Sequence, residues 1–252
     1  MDYCAHVTGR SFWPVLLRDL GLESKMRFSP HVANSKSFLY KTCHGAGHAA
    51  FLLAATRTLG WPKYNPEMWL PPRPILLIDP DVFHRFVLAT CARAPTASHA
   101  DACASGAYHS YFSWSAPRFG GVIPWYTPCA DAPFGFANVC FVMLRLVSDN
   151  LRNVPATEDA RRCDHGEDQA TQLACVYGLA HRPTRNASEL CDLSRLSGDR
   201  LLSCVNGSVD ATFGSMFPLN TRKAFCEPLG QLKDACVRRS LVYCNSFGAC
   251  RA

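Results

Sequence analysis

Ten of the fourteen cysteines in this 252-residue chain fall into five consecutive pairs whose partners stand close together in sequence. The pairs are Cys91 with Cys103, Cys129 with Cys140, Cys163 with Cys175, Cys191 with Cys204, and Cys226 with Cys236, and their first members recur at near-regular intervals. Recurrence within the ~20–50-residue range belongs to a repeated supersecondary unit that buries its apolar face against its neighbours. Pairing this local constrains the fold strongly, because each bridge has to close inside one such unit.

Between the cysteines the sequence reads as helix. Ser35 or Ser37 caps a helix from about Phe38 to Leu59, ended by Gly60, and Asp79-Pro80 supplies a cap and a first-turn proline for a helix through Ala92. Further helices are expected over 100–114, 137–151, 158–163, 169–180, 188–196, 199–212, 221–226 and 232–243, punctuated by Gly166, Gly198 and Gly214. Two stretches rich in proline or glycine, 61–74 and 115–134, read as loops. Their Trp61, Tyr64, Trp69, Trp125 and Tyr126 either plug the ends of a helical stack or wall a binding groove.

A helical hairpin gives the pairs a geometry. Gly198 lies midway between Cys191 and Cys204, so a bend there sets both at one height. Helix axes ~8–10 Å apart let inward side chains reach the ~5.5 Å Cα separation of a disulfide. Closing a loop of about a dozen residues is worth roughly 2.5–3 kcal/mol by chain entropy. Cys244 and Cys250 can pair near the C-terminus, which leaves Cys4 for Cys43, although sequence alone does not choose among connectivities. The expected fold is all-α, an α-solenoid-like array of disulfide-stapled antiparallel helical hairpins over 76–252, preceded by an irregular region, 1–75, packed on the first repeat.

A second repetition overlies the first. Cys103-Ala-Ser-Gly106-Ala-Tyr-His109 and Cys175-Val-Tyr-Gly178-Leu-Ala-His181 share the form C-x-x-G-x-x-H, and Cys204-Val-Asn-Gly207-Ser-Val-Asp210 ends it in aspartate. Thr42-Cys43-His44-Gly45-Ala-Gly47-His48 is a near match with the cysteine displaced by one. On a helix the glycine allows close approach of a neighbour, and the histidine follows on the same side. His44 and His48, four apart, share one helical face and suit a metal, and His109 and His181 project from equivalent repeat positions toward the same groove. The candidate metal ligands are therefore His44, His48, His109 and His181, with zinc as the candidate ion. The alternative is that each imidazole bonds a neighbouring turn as part of the packing.

Composition excludes some functions. Charged residues are 18% of the chain and the net charge of +6 is dispersed, with Arg161–Arg162 and Arg238–Arg239 but no basic run, so a nucleic-acid partner is not expected. The longest apolar stretch, Phe134 to Leu144, is too short for a transmembrane segment. Cysteine content points to an oxidising compartment, the secretory-pathway lumen or the cell exterior, and Asn186-Ala-Ser188 and Asn206-Gly-Ser208 are glycosylation candidates. Met1-Asp2-Tyr3-Cys4 opens no signal peptide, so secretion implies a processed or truncated chain, and the mitochondrial intermembrane space is the alternative. There is no Gly-x-Ser-x-Gly elbow, phosphate loop, His-Glu-x-x-His or dinucleotide fingerprint.

The Cys43-to-His48 segment, the C-x-x-G-x-x-H motifs and the spaced cysteine pairs, over residues 36 to 243, together resemble uncharacterised Cys-rich helical-repeat proteins, a resemblance that carries no activity over. Cys43-His44-Gly45 also resembles the zinc-binding Cys-His-Gly of lanthionine-synthetase-like helical toroids, whose upstream Trp-Cys ligand segment this chain lacks. Cys226-x9-Cys236 resembles half of the twin C-x9-C hairpin of intermembrane-space proteins, from which Cys191-x12-Cys204 departs. The expected function is a non-enzymatic interaction module that binds a protein or small-molecule partner on the concave face of the array, without a cofactor. The alternative is a zinc-dependent or thiol-based enzyme using Cys43, His44, His48, His109 and His181.

Overall fold

The computed structural model describes residues 43–51, 54–55, 78–94, 96–115, 127–147, 163–165, 168–182, 184–191, 196–214 and 221–247, and all regular structure among them is helical. The elements are α1 (43–51), α2 (Pro80–Val82, continuing through π-helical Phe83–Leu88 into Ala89–Ala92), α3 (Ala97–Ser115), α4 (Thr127–Ala130), α5 (Ala137–Val147), α6 (Gln169–Ala180), α7 (Gly198–Gly214), α8 (Arg222–Cys226) and α9 (Lys233–Phe247). Short 3-10 segments lie at Cys163–His165, Ala187–Glu189 and Glu227–Leu232. None of the described helices is long and apolar enough to cross a membrane.

Local chemistry starts these helices where the sequence suggests. Asp79 caps α2, its Oδ1 accepting the Asp81 N–H at 2.8 Å, with Pro80 in the first turn where its missing N–H costs nothing. Asp168 caps α6, accepting from the Thr171 N–H at 2.7 Å and the Thr171 hydroxyl at 3.0 Å, and the backbone bond holds its carboxyl below the usual range. Within α2 the π-helical turns bury Phe83, Val87 and Leu88 on one side, and Phe83 meets Tyr108 of α3 edge to face at 5.2 Å.

The described elements fall into two compact units. One contains α1, α2, α3 and α5, with α3 at its centre. Residues 102–108 of α3 are all buried, and apart from Cys103 and Tyr108 they are alanine, serine or glycine. A helix of small residues buried on every side accepts neighbours at close range. α5 packs on it and buries Cys140, Phe141, Val142, Met143 and Leu144. The other unit contains α4 and α6 to α9, with α7 packed between α6 and α9.

Disulfides fasten both units locally. Cys91–Cys103 ties the end of α2 to α3, Cys163–Cys175 ties a 3-10 turn to α6, Cys191–Cys204 ties a bend to α7, and Cys226–Cys236 ties α8 to α9. Their Cα separations are 5.3, 5.6, 5.8 and 5.7 Å, inside the range an unforced bridge needs. Cys43, Cys129 and Cys140 are also disulfide-bonded, and no described cysteine is free. Cys244 lies on α9, whereas Cys4 and Cys250 fall outside the described residues.

The structure corrects the helical-hairpin reading at several points. Residues 188–191, the described start of the helix expected at 188–196, are not α-helical: Asn186 Oδ1 accepts the Ser188 N–H at 2.9 Å, an Asx turn that leads into the 3-10 turn Ala187–Glu189. Cys191 therefore sits at a bend, and Gly198, at φ +54, opens α7 as its first residue. The partner of a long helix is here a turn, and the bridge closes equally well because a disulfide needs only the Cα separation. Cys163 starts a 3-10 turn, and the rest of the helix expected at 158–163 lies outside the described residues. The stretch 115–134 is not wholly loop, since Ser115 still belongs to α3 and Thr127–Ala130 forms α4. The expected start of the first helix, the 61–74 loop and the aromatics Trp61, Tyr64, Trp69, Trp125 and Tyr126 lie outside the described residues.

Candidate metal centre

Two glycines decide how α1 meets α3. A Cβ placed on Gly47 would stand 1.9 Å from the Cys103 carbonyl oxygen, and one on Gly106 would stand 1.8 Å from that of His44. Each glycine thus lies directly on the other helix's backbone, a separation that any side chain forbids. Around them Cys43, Ala46, Ala49 and Ala50 of α1 and Ala102, Cys103 and Ala107 of α3 are buried.

This contact carries three imidazoles together. His44 and His48 are one turn apart on α1, and His109 lies one turn beyond Gly106 on α3. Ring centroids are separated by 4.6 Å for His44 and His48, 5.6 Å for His44 and His109, and 5.0 Å for His48 and His109. One ring nitrogen from each lies within 4.8 Å of the other two, and His109 Nδ1 is 3.4 Å from His44 Nε2. Zinc bonded tetrahedrally at ~2.0–2.1 Å sets its ligand nitrogens ~3.3–3.4 Å apart. The His44 and His109 nitrogens already match this spacing, and the His48 nitrogen lies within 4.8 Å of the other two rings' nitrogens.

Serine hydroxyls orient two of the rings. His44 Nδ1 lies 2.7 Å from Ser105 Oγ and His48 Nδ1 lies 2.6 Å from Ser110 Oγ. Ser105 donates its hydrogen to the Ala102 carbonyl at 2.8 Å, so towards His44 it accepts. That assigns the proton to His44 Nδ1 and leaves the Nε2 lone pair facing the other rings. Bonding the far nitrogen of a ligating histidine in this way fixes ring and tautomer for a metal.

Burial and mutual proximity keep the cluster neutral. Desolvation first, and then the charge of His109, bring the His44 pKa down to about 4. His48 is brought down to about 3 by desolvation, with His44 and His109 adding to it, and burial lowers that of His109 as well. At neutral pH the imidazoles therefore offer lone pairs and no competing protons. His109 is exposed while His44 and His48 are half-buried, so the cluster opens to solvent on its α3 rim.

Of the four histidines singled out in the sequence, His181 is not part of this cluster. It ends α6 in the other unit, with its ring 5.9 Å from that of Tyr177. Cys43 is buried and disulfide-bonded, so it supplies no thiolate. Asn186 is half-buried with its Oδ1 bonded to Ser188, and Asn206 is half-buried within α7. Sequence reasoning missed Ser105 and Ser110. The usable signal for Ser105 was its position one turn before His109 on the same face. No family model matches this chain, and no curated protein or solved structure matches it either.

Proposed function

We propose that this protein is a disulfide-stapled helical binding module that holds one first-row transition-metal ion, zinc(II) foremost, on His44, His48 and His109. The observation that carries the reading is the convergence of one nitrogen from each ring within 4.8 Å, on helices locked by reciprocal glycine contacts. Imidazole donors suit zinc, copper and nickel, and zinc's filled d shell lets it take three nitrogens in whatever geometry the helices impose. The fourth coordination position then faces the exposed His109 rim, open to water or to a donor from a partner. The bridges support work in an oxidising compartment, and we place the protein in the secretory lumen or outside the cell. The α-solenoid-like array with a partner on its concave face belongs to the same reading, with the ion as the point of attachment.

Zinc content of the full oxidised chain after equilibrium dialysis tests this. One equivalent is expected, falling to none in His48→Ala at unchanged helical circular dichroism. Equal, substoichiometric zinc in both proteins overturns the assignment.

A further inference from the structure

The α6/α7 pair repeats the α1/α3 pair with different side chains at the centre. Aligning Gly45 with Gly178 places His48 on His181 and His44 on Tyr177 at one constant offset. Aligning Cys103 with Cys204 places Gly106 on Gly207, Phe112 on Phe213 and His109 on Asp210 at a second constant offset. The contacts obey both offsets independently. Gly106 lies against the carbonyl of His44, and Gly207 lies against that of Tyr177, where a Cβ would stand 2.3 Å from the oxygen. Phe112 and Phe213 are both buried. Each pair also receives a third helix on its second member, α5 on α3 and α9 on α7, and each third helix carries a disulfide-bonded cysteine, Cys140 or Cys236.

At the positions of His44 and His109 the second pair has a closed polar clamp. The Tyr177 hydroxyl donates to Asp210 Oδ2 at 2.7 Å, and Arg239 donates to both Asp210 oxygens, Nε to Oδ1 at 2.8 Å and Nη2 to Oδ2 at 2.5 Å. Arg239 stands three positions after Cys236, and the position three after Cys140 holds the buried Met143. The third helix thus delivers a cation to one pair, and the matching position of the other third helix holds a buried methionine.

We infer that the two helix pairs are copies of one module, and that the Tyr177–Asp210–Arg239 clamp fills in the second copy the place a metal ion takes in the first. His181 is then the surviving member of a second, convertible metal site. The inference rests on the metal reading of His44, His48 and His109 for what the first copy holds, whereas the equivalence of the copies rests on the backbone contacts alone.

The test is a gain of site in the full chain. Tyr177→His, Asp210→His and Arg239→Met are combined, in the wild-type and in the His48→Ala background, and zinc(II) is titrated by equilibrium dialysis, with cobalt(II) absorption reporting nitrogen ligation. Two equivalents are expected in the first background and one in the second. If the wild type itself binds none, the metal reading of the first site fails, yet one added equivalent in the triple variant still upholds the module equivalence. A folded triple variant that binds no more zinc than its parent overturns the inference. Should the triple variant not fold, the reverse exchange is read instead: His44→Tyr with His109→Asp and Met143→Arg. A folded, zinc-free protein upholds the equivalence, and an unfolded one overturns it.

Discussion

Within the α1/α3 pair and within the α6/α7 pair the two helices meet through the same glycine-on-carbonyl contact, and the pairs differ in whether the groups gathered there are already satisfied. In α6/α7 the carboxylate of Asp210 is buried and accepts from a phenol and a guanidinium, so charge and hydrogen-bonding capacity are used inside the protein. In α1/α3 three neutral imidazoles gather, two of them steadied by serines, with one ring nitrogen of each converging on the others. The lesson is that glycine-on-carbonyl packing fixes the geometry and leaves three side-chain positions to choose the chemistry. A saturated choice stiffens the pair, and an unsaturated one recruits a cation.

The comparison breaks most severely at the glycines. Gly106→Ala forces α1 off α3 and is expected to destabilise by about 3 kcal/mol, near the upper end for overpacking a tight core. Gly207→Ala should cost a similar amount. Only Gly106→Ala abolishes zinc uptake, because only it moves the histidines, and denaturant melts with metal analysis of both variants check this. Next in size is Arg239→Ala, which leaves the Asp210 carboxylate buried without its cation. A loss of about 2 kcal/mol is expected, below the full penalty for orphaning a buried charge because the Arg239 side chain is 41% exposed. The same melts should show no change in zinc binding.

A pH series sharpens the contrast at smaller amplitude. His44 and His48 titrate near 4 and 3 in the folded chain and near 6.5 when unfolded, so between these values the unfolded state binds more protons. Their stability contribution is whole above pH 6.5 and drains away as the pH falls towards 4 and then 3. Chelator-treated wild type should accordingly lose more stability between pH 7.5 and pH 5 than His48→Ala, and equal losses would contradict it. Smallest is Gly45→Ala. A Cβ there meets nothing within 4 Å, so better helix propensity should add about 0.5–1 kcal/mol. That gain beside the losses at Gly106 and Gly207 would separate a packing glycine from a permissive one.

Helix positions and local bridges were legible because their causes are local. Asp79-Pro80 caps what it should, and the expected 169–180 helix is observed as Gln169–Ala180. The start of the helix expected at 188–196 misled because Asn186 bonds two positions ahead and turns the chain there. The π-helical widening of α2 left no trace in the sequence, since it answers to packing against α3. The imidazoles were legible as a candidate set of His44, His48, His109 and His181, and what was not legible is that His109 joins His44 and His48 while His181 does not. That choice depends on which glycine sits on which carbonyl, and the partners in such a contact, His44 and Gly106, stand far apart along the chain. Arg239 was hidden for the same reason.

The order of the bridges has a consequence for biosynthesis. Cys91–Cys103, Cys163–Cys175, Cys191–Cys204 and Cys226–Cys236 follow one another without nesting or crossing, with sequence separations of 10 to 13. Made from its N-terminus, the chain presents both thiols of each of these bridges before the first thiol of the next arrives. Oxidation can therefore track synthesis, and the native partner is the nearest available sulfur at each of these closures. A protein so wired relies little on disulfide reshuffling to mature, and a product cut short between two of these bridges would keep those already formed.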